Sequence, residues 1–341
     1  MHDLPTPAMS ETEAEVRLAR NNADVAALGA KADYRLIAGD HKAAAAYYST
    51  AVGAAYAGAA RDSASMSVAR RAEEMLGLLA EKFRDHVDGR IDRAGFPPQS
   101  RPSRFNQAVE ILFGQRSRPP SPEKYPQLPK LFYYPGLPSI EFTDPSAFAW
   151  ASALESCFPQ MRDEATQVLA DRQAFSPYVT RITDRPQADT HGLLENSDWS
   201  SLYLWQQGKP VQENVERCPG IFKGLTENVP LFDVAGRSPS AYLSLLRPGA
   251  HIPPHTGALN CRYICHLPLI VPSGCAFRVG SRTIEWQEGK LVIFDDTVEH
   301  EAWNRGSQNR LILLFEVWAP DLSDIEIKLI RLLLEAVDSY R

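Results

Sequence analysis

From about residue 21 to 93, apolar side chains recur every three to four positions, alanine is abundant and proline is absent. That period and those propensities predict helices throughout. Ala32, Leu36, Ala44, Tyr48 and Ala51 flank Gly39-Asp40 at the spacing of one tetratricopeptide-like helical hairpin. Small residues at 32, 44 and 51 let two helices approach, and Gly39-Asp40 turns the chain. A third helix is predicted at about 62–90, carrying Met66, Ala69, Met75 and Leu79. One hairpin makes no solenoid, since such arrays need about three repeats. The plain expectation for 21–93 is an all-helical domain; a module that docks a protein partner is the alternative. Residues 1–20, with Pro5, Pro7 and an acidic stretch at 11–15, are expected to be a flexible tail.

The pattern then changes twice. Prolines crowd 94–143, so long helices cannot persist there, and the segment reads as an extended linker on the surface of the second domain with a short helix near 105–113. Asp144-Pro145 pairs an N-cap with a first-turn proline and predicts a helix to about 157, followed by another over 160–172. From about 197 the pattern becomes β. Strands are predicted at 200–206, 241–246, 261–269, 276–279, 282–286, 290–294 and 310–318, with a hairpin turn at Gly280-Ser281. Many short strands between Gly, Pro and Asp turns predict a closed barrel or a double-sheet jelly roll. Ser323 and Glu326 form a capping box before a C-terminal helix. The fold class is therefore α+β, with the jelly-roll domain at 144–341.

Composition narrows the class. The 341 residues are 44% hydrophobic and 23% charged, with a formal net charge of −6. That is ordinary globular usage. No Lys/Arg block occurs, so no nucleic-acid partner is expected. The longest apolar run, 311–317, contains Glu316 and is far short of a membrane span. The first sixteen residues have neither a basic nor an apolar signal region, so no secretory leader is expected. Five cysteines are too few for a disulfide framework, and a cytoplasmic location is expected.

Candidate chemistry gathers in the β region. Four of the eight histidines, His251, His255, His266 and His300, fall within 251–300. Neutral imidazole is the commonest transition-metal side-chain ligand. Two prolines hold the chain extended before His255, and Gly257 follows it. Arg310 comes ten residues after His300, a hairpin's length, so the two are expected on adjacent strands. This is the arrangement a non-haem Fe(II), 2-oxoglutarate-dependent oxygenase requires. Iron needs ligands on one face and open positions for a keto acid and O₂. An arginine fork suits the keto acid's distal carboxylate. Glycine at 257, where an H-x-D/E motif places the acid, counts against the usual three-ligand set. Residues 262, 264 and 266 share one strand face, which puts Arg262 beside His266. His251 is expected to be a pocket-wall or structural residue, Asp295-Asp296 to orient His300, Cys261 and Cys265 to be core, and Glu301 to face away. His2, His41, His86 and His191 are scattered and read as ordinary histidines.

The chain here resembles the aspartyl/asparaginyl β-hydroxylase family. The matching text includes Glu195-Asn196-Ser197-Asp198-Trp199-Ser200, Leu204-Trp205-Gln206-Gln207-Gly208, Arg247-Pro248-Gly249, Pro254-His255-Thr256-Gly257, Asn260-Cys261-Arg262, His266-Leu267, Trp286-Gln287-Glu288-Gly289, Phe294-Asp295-Asp296, His300-Glu301 and Trp303-Asn304. It spans about 145–321. The resemblance implies a double-stranded β-helix (cupin-like) and a metal site of two histidines, His255 and His300, with Gly257 where the acid would be. It implies Fe(II), 2-oxoglutarate and O₂, with 2-oxoglutarate contacts from Ser244, His266 and Arg310. Arg262 and Gln207 are the expected substrate contacts. Ile264 stands where the animal enzyme has a second arginine, and only Cys218 remains of a cysteine pair in lumenal members. The implied reaction hydroxylates an unactivated C–H bond, first of all the β-carbon of an Asp or Asn residue or a related small amino-acid-like substrate. A lipid or natural-product substrate, and a non-catalytic cupin-like binding or scaffold module, are the alternatives. A zinc hydrolase ranks last, for want of an H-E-x-x-H motif.

Overall fold

The structure, a computed structural model, describes residues 5–58, 62–171, 173–182, 184–186 and 190–341. The chain clusters into two units, one built mainly from residues before 96, the other from 96–180 and 190–335.

Among the described residues, the first unit is built mainly from four helices, α1 (Glu11–Arg20), α2 (Val25–Ile37), α3 (His41–Ala57) and α4 (Ser63–Arg93), and also takes in residues 336–341. Ser10, Asp24, Asp40 and Asp62 each accept a hydrogen bond from the backbone N–H three residues on. These caps satisfy donors the helices leave free. The expected hairpin is α2–α3. Ala32, Ala44 and Ala51 are fully buried in it, and Gly39 turns the chain at φ 76°. Helix α4 then runs for 31 residues and packs on α3 and α2, so the described helices form a bundle. The flexible tail expected at 1–20 is corrected over 11–20: α1 buries Ala14, and buried Lys31 bonds both Glu11 and Glu15. Residues 1–4 of that tail, with His2, lie outside the described residues.

The second unit contains α5 (Ser103–Leu112), α6 (Ala151–Ser156), α7 (Phe158–Leu169), β1 (Ser176–Pro177), β2 (Trp199–Gln206), β3 (Lys209–Pro210), α8 (Gln212–Arg217) and α9 (Pro219–Asn228). Then come β4 (Ala241–Leu246), β5 (His251–His255), β6 (Arg262–Ile270), β7 (Cys275–Val279), β8 (Arg282–Ile284), β9 (Val292–Phe294), β10 (His300–Asn304), β11 (Arg310–Trp318) and α10 (Asp324–Ser339). Asp144 caps only a single turn, Pro145–Ala147, because Phe148 is extended and splits the helix expected to reach 157. At α10, Glu326 reaches back to the Ser323 N–H at 3.0 Å, as the capping box predicts.

All strands pair antiparallel. One sheet runs β1-β2-β4-β11-β6-β9, with β3 beside β2; the other runs β5-β10-β7-β8. From β4 onward the chain passes back and forth between the sheets, the topology of a double-stranded β-helix. Ile264, Phe294 and Ile312 of the first sheet meet Ile252, Phe277 and Ala302 of the second in one core. His300 and Arg310 are therefore not on adjacent strands of one sheet: the chain changes sheets between β10 and β11.

The expected linker is also corrected. It is extended but packed into the second unit, burying Phe132, Tyr134 and Leu137. Lys130 N–H donates to Gly257 O at 2.9 Å, and Leu128 N–H to Thr297 O at 2.7 Å. The segment thus braces the two loops that flank β5 and β10.

Candidate functional site

A cavity of about 370 Å³ opens between the sheets, within the size range of small-molecule sites. On one wall β5 and β10 pair so that His255 lies directly opposite His300. Their ring centres are 4.1 Å apart. His255 Nδ1 lies 2.8 Å from Pro253 O, and His300 Nδ1 lies 3.0 Å from Val298 O. A carbonyl only accepts, so each Nδ1 is the protonated nitrogen and each Nε2 keeps a lone pair. Burial lowers both pKa values, that of His300 to about 3. The pair is neutral at pH 7, which is the form that ligates metal. The His300 ring is oriented by the Val298 carbonyl, and the Asp295-Asp296 turn acts through it, because the Val298 N–H donates to Asp295 O at 3.2 Å. Asp295 instead accepts from the Thr297 N–H at 2.8 Å and from Gln127 at 2.5 Å, and burial raises its pKa to about 6.

The facing wall carries the predicted anion site. Arg310 on β11 is 2% exposed, and its Nη2 donates to Ser244 Oγ on β4 at 3.1 Å. Trp199 Nε1 donates to the same oxygen at 3.2 Å. The Trp286 ring lies 5.1 Å from the guanidinium, close enough for a cation–π contact. Burial pushes the Arg310 pKa down to about 10. His266 on β6 sits among Phe277, Trp286 and Phe294, and burial holds its pKa well below the usual imidazole value. Arg310 Nε and His266 Nδ1 are buried without a protein partner. Arg262, Ile264 and His266 all line the cavity, as their alternation along β6 predicts.

Arg262 is not free. Its Nη2 donates to Asp296 Oδ2 at 3.2 Å and its Nε lies 3.3 Å from Glu316 Oε1. Burial opposes its charge, but these two carboxylates outweigh burial and raise its pKa. Glycine at 257 has a local cause: a Cβ there would stand 1.9 Å from Asp296 Oδ2. Among the described residues no group of three or more His, Cys, Asp or Glu is placed to hold a metal. The residues fit a metal held by two imidazoles and an anion held by a buried arginine with unspent donors.

Gln207 is a correction. It is exposed at φ 52°, in the turn between β2 and β3, and does not line the cavity. His251 points outward to Glu301 Oε2 at 2.8 Å, and Glu301 also holds Arg278, so both are structural as expected. Tyr178, Tyr242 and Glu316, which no motif singled out, also line the cavity. A lone acid inside the apolar run 311–317 was the available signal for Glu316.

The family model "Aspartyl/Asparaginyl beta-hydroxylase" matches residues 155–320. This segment is similar to the aspartyl/asparaginyl β-hydroxylase family. The human aspartyl/asparaginyl β-hydroxylase is 42% identical over 138 residues, covering 40% of this chain and 18% of the human protein. A Rhizobium tropici ornithine lipid ester-linked acyl 2-hydroxylase is 32% identical over 180 residues, covering 52% of this chain and 60% of that protein. The chain thus spans less than two thirds of these relatives. A solved cupin domain from Schizosaccharomyces pombe aligns at TM-score 0.24 and 10% identity, covering 36% of this chain and 66% of that domain. All of the cavity's lining residues, from Tyr178 to Glu316, fall inside the β-hydroxylase-family segment.

Proposed function

We propose that this protein is an Fe(II)- and 2-oxoglutarate-dependent dioxygenase. Its reaction is hydroxylation of an unactivated C–H bond, at the β-carbon of an Asp or Asn residue or of a related small amino-acid-like substrate. The observation that carries this reading is the facing pair, His255 and His300, each with Nδ1 spent on a carbonyl and Nε2 free, in one cavity with the Arg310–Ser244 pair. When bound, iron, 2-oxoglutarate and O₂ supply the oxidation, yielding succinate and CO₂. His255 and His300 hold the metal through Nε2, without first having to lose a proton. Arg310 and Ser244 bind the distal carboxylate of 2-oxoglutarate. His266 lies beside Arg310's end of the cavity and offers its unpartnered Nδ1 to the same molecule. Trp199 fixes the Ser244 hydroxyl by donating to it, which leaves that hydroxyl's own proton for the carboxylate. Ile252, Ile264, Phe277 and Leu314 provide apolar wall that limits water around the reacting carbon.

The test is anaerobic addition of Fe(II) and 2-oxoglutarate to the purified protein, watching for the visible metal-to-ligand charge-transfer band. A band in the native chain that is lost in both His255→Ala and Arg310→Ala supports the reading. No band, with the protein folded and both components present, rejects it in favour of a cupin-like binding module.

A further inference from the structure

With the histidine pair and the Arg310–Ser244 pair assigned, the rest of the cavity wall is dominated by Tyr178, Trp199, Tyr242, Arg262, Asp296 and Glu316. Charge there is unequal. One guanidinium stands between two carboxylates, 3.2 Å from Asp296 and 3.3 Å from Glu316. Glu316 Oε2 also accepts from Ser238 Oγ at 3.1 Å, which fixes the carboxylate in place. Ile264, the next inward residue of β6 on the way to His266, adds no charge. An entering carboxylate would meet two like charges in a largely buried setting, where repulsion is little screened.

Two polar atoms of this group have no protein partner. Arg262 Nη1 is a donor and Asp296 Oδ1 is an acceptor. A carboxylate can only accept, so it can answer the first and not the second. A carboxamide answers both: its oxygen accepts from the guanidinium and its NH₂ donates to the carboxylate. Resting on the hydroxylase reading, we propose that the substrate group seated beside Arg262 is an uncharged carboxamide, so that the site selects asparagine over aspartate. Glu316 is the specificity-determining residue, because it supplies the second negative charge, which takes the otherwise neutral Arg262–Asp296 pair to a net-negative cluster that no longer receives an anion.

The test uses two probes that differ only in the side chain, N-acetyl-L-asparagine N-methylamide and N-acetyl-L-aspartate N-methylamide. Each is titrated calorimetrically into the anaerobic protein loaded with Fe(II) and 2-oxoglutarate, and its turnover is then read as succinate formed and oxygen incorporated. At pH 7 the amide binds and turns over at least tenfold better than the acid. Glu316→Gln keeps the size of the side chain and removes its charge; it narrows that ratio at least fivefold while the charge-transfer band stays. The acid matching or beating the amide, neither probe binding, or an unchanged ratio in Glu316→Gln overturns the substrate assignment alone. Failure of the band to form in the native protein removes the hydroxylase reading and this assignment together.

Discussion

Gly257 is held in place by what stands next to it. Any side chain at 257 meets the Asp296 carboxylate, since even a Cβ falls 1.9 Å from Oδ2. Gly257→Ala therefore costs about 1–3 kcal/mol, as overpacking does. In an Asp296→Ala background the obstacle is gone, and the same substitution costs less than about 0.5 kcal/mol. A double-mutant cycle by urea unfolding checks this, and additive effects would contradict it. Arg310 shows the opposite compromise, a residue that suits binding and burdens the fold. Its pKa is about 10, below the usual arginine value, because burial disfavours the charge. The cation thus costs stability at every pH below about 10, and is relieved only above it. Arg310→Met is expected to raise the melting temperature of the cosubstrate-free protein while raising the KM for 2-oxoglutarate more than about 30-fold, the loss expected of a charge-assisted pair. A lower melting temperature together with an unchanged KM would show that Arg310 is structural.

At the scale of elements, what the sequence revealed depended on which way each strand's side chains face. Strands β4 and β11 match their predicted limits because both faces are largely covered, so they read as apolar runs interrupted only by Ser244, Arg310 and Glu316. Strand β5 was invisible: Pro253 and Pro254 forbid an interior strand, but β5 is an edge strand, where missing N–H donors are tolerated. Strand β10 was hidden by the polarity of its inward face. Its inward residues are His300, Ala302 and Asn304, so polar side chains occupy core positions and the alternation disappears. His255, His300, Arg262 and His266 were legible because each sits in a family motif, whereas Ser244 and Arg310 lie outside the motifs and were legible only through the roles that the resemblance implies. Gln207 shows the limit of that logic, since neighbours along a motif part company at a tight turn. The bracing by 127–134 was not legible at all, because its contacts are backbone hydrogen bonds between segments more than a hundred residues apart. Asn260 ties that brace down: its side chain bonds Tyr134 N–H at 2.7 Å, Tyr134 O at 2.9 Å and Gln127 at 3.0 Å, and it is fully buried. Asn260→Ala leaves buried partners unmet and is expected to cost roughly 2–4 kcal/mol. It should also open 127–134 to proteolysis before the strands unfold; cleavage there at the native rate would refute the bracing role.

Over the whole molecule, the buried imidazoles tie global stability to pH. His300 has a folded pKa of about 3, and burial also lowers those of His255 and His266. In the unfolded chain they titrate near 6.5. Between about pH 3 and 6.5 the unfolded state therefore binds more protons, so stability rises with pH through that window and is fully present above it. His300 alone removes about 2 kcal/mol on going from pH 7 to 5. Asp295 works in the opposite direction. Its folded pKa of about 6 lies above the usual carboxyl value, so the folded state holds the extra proton and gains about 1 kcal/mol over the same interval. The sum is a net loss on acidification, and His300→Gln isolates the larger part. Metal-free native protein should lose urea-unfolding free energy from pH 7 to 5, and the variant about 2 kcal/mol less; equal losses would mean that His300 is not held neutral. Adding a divalent metal sharpens the contrast: the folded pair is already unprotonated at pH 5, so metal stabilises the native chain at both pH values and does not rescue the variant to the same degree.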